Sequence, residues 1–158
     1  LHNVSEILEA FDSILDQAKR YNPRARLNGV TVQPMASRID HELILGATKD
    51  RDFGPVLLFG MGGVFAEVLG DRAIGLPPLN RLLAEQLIRK TRISRLLEGY
   101  RNMPAVDFAR LEEIMIRMSQ LVSDFSQIQE LDINPLVASR NSLYALDARV
   151  VLDPNPPA

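Results

Sequence analysis

Three oxygen-bearing side chains stand at alternate positions in Gln129-Glu130-Leu131-Asp132-Ile133-Asn134-Pro135-Leu136-Val137. Alternate residues of an extended chain share a face. Glu130, Asp132 and Asn134 therefore line one side, and Leu131 and Ile133 the other. A second β-like run, Ser142 to Val150, carries one carboxylate, Asp147, among apolar residues. The turn signal between the two runs is Ser139-Arg140-Asn141-Ser142. A hairpin centred on Arg140-Asn141 sets Asn134 opposite Asp147 and Asp132 opposite Arg149. Opposed Cβ atoms in an antiparallel pair are about 4.5–5.5 Å apart. An amide oxygen and a carboxylate at that spacing can share one Mg²⁺, which takes oxygen donors at about 2.0–2.1 Å and draws few of them from protein. Asp132 would then place a charge beside the same site, partly balanced by Arg149. Two other readings stay open at this level. Asn134-Pro135 is a plain bend with Asp147 a surface charge, or Pro135 brings a bulge that shifts the register by one and turns Asn134 away.

A second group lies earlier in the chain. Phe53 to Glu67 reads as a strand, a glycine turn over Gly60-Met61-Gly62-Gly63, and a further strand. Glycines let backbone approach phosphate closely. No Lys-Ser/Thr follows and no helix pattern opens there, so neither a P-loop nor a dinucleotide-binding turn is indicated; a tight hairpin turn explains the same residues. Glu67 sits inside the apolar run Val64 to Leu69, and Glu42 heads Leu43-Ile44-Leu45-Gly46. A carboxylate in such a setting is paired, hydrated or bound, with exposure at a strand edge the plainer alternative. His41 reads as a surface neighbour of Glu42. The chain lacks Gly-x-Ser-x-Gly, His-Glu-x-x-His and any cysteine nucleophile, which removes the common hydrolase and zinc-enzyme constellations.

The elements that must hold these residues follow from periodicity. Asn3 and Glu6 form a capping-box start for a helix carrying Val4, Ile7, Leu8, Phe11, Leu15 and Ala18, which ends near Pro23. Strand-like runs follow at Gly29–Met35, Glu42–Thr48, Val56–Phe59 and Val64–Leu69. Leu79–Thr91 and Ile93–Gly99 read as helices. Pro104 suits a helix first turn, and Leu111 to Phe125 makes a long apolar stripe. Gln129–Ala138 and Leu143–Leu152 close the domain, and residues 153–158 read as a linker. The expected class is α+β, a mostly antiparallel sheet packed with helices on one side.

The bulk properties bound the function. At 158 residues, 46% hydrophobic and 24% charged, the chain is one ordinary globular domain. No run of 18 apolar residues spans a membrane. A net charge of −2 supplies no field for nucleic acid. The absence of cysteine fits a reducing cytoplasm. The start, Leu1-His2-Asn3, reads as a cut inside a longer chain.

Taken together, these motifs resemble a known family. Gly29-Val30-Thr31-Val32-Gln33-Pro34-Met35, Glu42-Leu43-Ile44-Leu45-Gly46, Asp52-Phe53-Gly54-Pro55, Phe59 to Glu67, and Glu130 to Leu136 with Leu146-Asp147-Ala148-Arg149 are similar, in order, to the ATP-grasp module of ADP-forming acetyl-CoA synthetases. The likeness covers nearly the whole chain, residues 1–152, and points to the C-terminal lobe of that fold. Gly75-Leu76-Pro77-Pro78-Leu79-Asn80 looks most like the subgroup fused to a GNAT acetyltransferase, some members of which are protein-lysine acetyltransferases with a degenerate, ligand-sensing synthetase part.

The resemblance implies interconversion of acid, CoA and ATP with acyl-CoA, ADP and phosphate through a phosphohistidine on another domain. By matched position, Asn134 and Asp147 would bind Mg²⁺, and Asp132 would steady the phosphohistidine. Gln33, Pro34 and Met35 would form the adenine hinge. Glu42, Gly60, Gly62, Gly63 and Glu67 would lie near the nucleotide, ATP or ADP. CoA would bind other synthetase domains, and related enzymes assemble from several domains or subunits. Two departures stand out: Gly75 replaces an arginine common in the family, and the earlier lobe, with its lysine and phosphate-covering loop, has no counterpart. The chain alone is therefore expected not to catalyse the full reaction.

Overall fold

The computed structural model describes residues 1–36, 39–63, 69–140 and 142–154. It forms two compact units, Leu1–Ser37 and Arg38–Ala158. Helix α1, Val4–Tyr21, fills most of the first. Its start is the capping box that the sequence requires: Asn3 Oδ1 accepts from Glu6 N–H at 2.9 Å, and Asn3 Nδ2 donates to Glu6 Oε1 at 2.8 Å. Lys19 and Arg20 lie in the last turn, where cations suit the helix dipole. The expected strand Gly29–Met35 is not formed. A strand is defined by its ladder, and this segment pairs with no other among the described residues of its unit. Ile7, Phe11 and Ile14 instead line a cavity of about 360 Å³ together with Val30 to Met35.

The second unit is a two-layer α+β structure, as the sequence leads one to expect. Its sheet contains β1 (His41–Asp50), β2 (Gly54–Met61), β3 (Arg72–Gly75), β4 (Ile128–Ala138), β5 (Leu143–Ala145) and β6 (Ala148–Leu152). The order is β3-β2-β1-β4-β5, with β6 also on β4, and every pairing is antiparallel. Helices α2 (Arg81–Arg89), α3 (Ser94–Leu97) and α4 (Phe108–Asp124) supply the second layer. Alternation decides which sheet residues meet them. Leu43 and Leu45 of β1, Leu57 and Phe59 of β2, and Leu131 and Leu136 of β4 join Leu87, Ile88, Leu111 and Met115 in one buried core. Each such side chain contributes roughly 1.5–3 kcal/mol by leaving water. The alternate residues lie on the opposite, open face.

Local chemistry fixes the helix positions. Asn80 and Asp107 cap α2 and α4 through bonds from Leu83 N–H and Arg110 N–H. The capping by Asp107 starts α4 after Pro104, so Pro104 precedes the helix rather than opening it. Asp71, just before β3, receives Arg92 N–H and Ile93 N–H at 2.7 Å each, tying the α2–α3 turn to the sheet. Four other expectations are corrected. The strand β3 was not anticipated. The closing run Leu143–Leu152 bends at Leu146-Asp147 and divides into β5 and β6. Residue 153 belongs to the sheet edge and not to a linker, since Asp153 N–H donates to Gln127 O at 2.7 Å and its carboxylate accepts from Gln129. Gly60 lies within β2, opposite Ile44 and Arg72, rather than in a turn.

Candidate functional site

The open face carries the chemistry. On β4, Glu130, Asp132 and Asn134 alternate with Leu131 and Ile133, which pack toward the core. The hairpin register is the one read from the sequence. Asp132 pairs with Arg149, Ile133 with Ala148, and Leu136 with Ala145. Between them, Asn134 N–H donates to Asp147 O at 3.3 Å and Leu146 N–H to Pro135 O at 3.0 Å. The register thus runs through Pro135 without a slip. Near Pro135 the irregularity lies on the other flank, where β4 meets β1 between Leu43 and Leu45, and the β4–β6 ladder shifts only farther off, between Ile128 and Glu130. The extra residue is absorbed against β1, which leaves Asn134 on the same face as Asp132.

A row of residues crosses the sheet at this point: Ile74, Leu58, Gly46, Asp132 and Arg149 are successive cross-strand partners. Gly46 is the gap in the row. A Cβ there would stand 3.4 Å from Asp132 Oδ1, so the carboxylate lies over bare backbone. Ile44, Leu58, Arg72, Asp132, Asn134 and Arg149 are among the residues that line a concavity of about 400 Å³. Arg149 Nη2 donates to Glu130 Oε2 at 3.3 Å, an exposed pair of small energetic weight. Asp147 is exposed beside the hairpin bend, and its Oδ1 accepts from Ala148 N–H at 2.9 Å. An amide oxygen at Asn134 and a carboxylate at Asp147 are hard donors of the kind Mg²⁺ takes. Among the described residues no group of three or more His, Asp or Glu side chains is placed to hold a metal.

Glu42 belongs to a neighbouring feature. Gly62 N–H donates to its carbonyl at 2.7 Å, and Gly63, at φ +69°, lies against its carboxylate where any side chain would collide with it. These residues help line a cavity of about 420 Å³ that also includes His41, Met61 and Leu96. His41 is not a surface neighbour of Glu42. The β1 alternation turns it inward, where it is 6% exposed. Nε2 has no hydrogen-bond partner, and burial, opposed by the Asp40 carboxylate, lowers the imidazole below its ordinary value.

The structure therefore brings Asp132 and Asn134 together in one concavity, sets Asp147 exposed at the adjoining hairpin bend, and brings Glu42 together with Gly62 and Gly63 near the start of β1. Gly60 sits in β2 as a close-approach position, since a Cβ there would strike Asp71 and Arg72 backbone. Gln33, Pro34 and Met35 lie exposed in the first unit. Glu67, with the strand expected at Val64–Leu69, falls on residues 64–68, outside the described ones. Sequence reasoning missed Gly46 and Arg72. The period-2 pattern of β1 marks Gly46 as an outward position, whereas β3 is too short to announce Arg72.

Comparison with known proteins gives a consistent likeness. The ATP-grasp domain family matches residues 1–152. The chain is 38% identical over 154 residues to a 4-hydroxybutyrate–CoA ligase (ADP-forming) of Nitrosopumilus maritimus, covering 96% of this chain and 22% of that protein. It is 35% identical over 152 residues to the beta subunit of acetate–CoA ligase (ADP-forming) I of Pyrococcus furiosus, covering 96% of this chain and 65% of the subunit. A solved structure of Ca. Korarchaeum cryptofilum acetyl-coenzyme A synthetase 1, with coenzyme A, acetyl-coenzyme A and a phosphorylated phosphohistidine segment, superposes with TM-score 0.90 at 34% identity, over 96% of this chain and 67% of that one. The same synthetase in complex with coenzyme A and Ca-AMPCP gives TM-score 0.86, over 94% of this chain and 64% of that one. The chain thus spans about a fifth to two thirds of the relatives it matches.

Proposed function

The chain belongs to the ATP-grasp domain family, and we propose that it is the nucleotide- and Mg²⁺-binding part of an ADP-forming acyl-CoA synthetase. Its parent would convert acid, CoA and ATP to acyl-CoA, ADP and phosphate through a phosphohistidine. The observation that carries this reading is the hairpin register: it is the same on both sides of the bend, Asn134 N–H bonds Asp147 O between the two ladders, and Asp132 lies over Gly46. Asn134 and Asp147 would hold Mg²⁺, which neutralises phosphate charge when bound. Asp132, in the concavity, would orient the protonated nitrogen of an incoming phosphohistidine. Glu42 with Gly62 and Gly63 would border the nucleotide, and Gly60 would keep that strand edge low. Gln33, Pro34 and Met35 would meet the adenine. Glu67 keeps its expected place near the nucleotide by sequence match alone.

Phosphoryl transfer requires alignment and charge neutralisation more than covalent chemistry from protein. An open sheet face presenting two carboxylates, an amide and two arginines is suited to that task. Coenzyme A and the phosphohistidine would come from other domains of the parent or from partner subunits, in a cytoplasmic assembly. The stretch Gly75 to Asn80 supports placing the parent in the subgroup fused to a GNAT acetyltransferase. Calorimetric titration of Mg-ADP into the chain and its Asp147→Ala variant tests the reading. Saturable binding by the first, weakened about tenfold or more in the second, is expected; equal affinity in both would refute the assignment of Asp147.

A further inference from the structure

Two side chains of opposite charge on the open face carry no partner. Arg72, exposed on β3, and Asp132 on β4 make no side-chain hydrogen bond or ion pair among the described residues, yet both line the same concavity of about 400 Å³. The other cation of that concavity, Arg149, is already engaged by Glu130. The charges thus resolve into one internal pair and two unpaired ends, Arg72 and Asp132, on opposite sides of the basin. Between them lie two glycines together with the apolar side chains of Ile44 and Leu58. Arg72 stands opposite Gly60 and Asp132 opposite Gly46, and neither glycine raises a side chain over the sheet.

We propose that Arg72 is a phosphate-binding residue of this site, its guanidinium taking the terminal anionic oxygens of a nucleoside polyphosphate; this rests on the nucleotide reading above. Glu130 and Arg149 offset each other, and Asp132 would repel a polyphosphate. Arg72 is the cation of the concavity that has no acidic partner among the described residues. Its planar fork matches two phosphate oxygens at once. The division of labour follows from position: Arg72 meets the anion, and the Asp132–Asn134 side is left for cations. Because the Arg72 side chain makes no polar contact among the described residues, its replacement should keep the fold, which circular dichroism checks.

The test uses the 158-residue chain with arginine side chains labelled for NMR, titrated with Mg-ADP, with pyrophosphate and with adenosine. The Arg72 Nε–H signal should shift saturably with Mg-ADP and pyrophosphate and not with adenosine. Arg72→Gln should weaken Mg-ADP binding by about tenfold or more, the scale of a charge-assisted hydrogen bond. Arg72→Lys should recover part of the loss, and Arg117→Gln, a charge loss on α4 against the other sheet face, should bind as the unaltered chain does. Mg-ADP saturation with an unmoved Arg72 signal, or with unchanged affinity in Arg72→Gln, would overturn the assignment while the nucleotide reading stands. Equal weakening by Arg117→Gln would overturn it as a general charge effect. Pyrophosphate binding at Arg72 without Mg-ADP binding would overturn the nucleoside-polyphosphate assignment together with the nucleotide reading, as would binding of neither.

Discussion

Gly46 does its work by having no side chain. Asp132 Oδ1 lies where a valine would press on it, so Gly46→Val should displace the carboxylate and lower Mg-ADP affinity about tenfold, near 1.4 kcal/mol, with the fold retained; calorimetry beside circular dichroism reads both. His41 makes a second prediction. Its folded-state pKa lies below the ordinary 6.5 because burial disfavours the imidazolium. The unfolded chain therefore binds the proton more readily, and stability is full above about 6.5 and falls as pH drops below it. Denaturant midpoints from pH 7.5 to 5 should decline in the unaltered chain and decline less in His41→Phe. The two residues differ in legibility. Asp132 and Asn134 declared their shared face through strict alternation with Leu131 and Ile133. His41 did not declare its burial, because a polar residue at the start of a run reads as lying outside it, whereas β1 begins at His41, in phase with buried Leu43 and Leu45 and opposite Ala138.

Asp71 links sequence to architecture at the level of elements. Its two carboxylate oxygens hold the first free amides of the α2–α3 turn, as a capping side chain does. Asp71→Ala should cost about 0.5–2 kcal/mol, seen as a lowered thermal midpoint with Mg-ADP affinity little changed. Long periodic elements were readable in advance: α1 from its capping box, α4 from its apolar stripe, and the β4 hairpin from one turn signal. The segment Gly29–Met35 was misread because β-branched composition states a preference, whereas a strand needs a neighbour to accept its backbone groups. The strand β3 was missed because four residues are too few for a period to show. Pro104 misled for a related reason, since a capping Asp107 outweighs a proline that is merely tolerated at a helix start.

At the scale of the whole second unit, helices α2 to α4 cover one face of the sheet, and Arg72, Asp132 and Asn134 line a concavity on the other, with Asp147 exposed at the hairpin bend. The chain spans 22% of one relative and 65% of another, so we expect it to bind nucleotide without turning it over. A coupled assay with acetate, CoA and ATP should show no acyl-CoA formation by the isolated chain, and measurable ligation would contradict that expectation. The most direct measurement replaces Mg²⁺ with Mn²⁺ in the presence of ADP and maps paramagnetic broadening of backbone amides. Broadening centred on Gly46, Asn134 and Ala148, with Met115 in α4 untouched, is the expected result. Broadening centred on the helical side, or none at saturating Mn-ADP, would contradict a metal–nucleotide site on the open face.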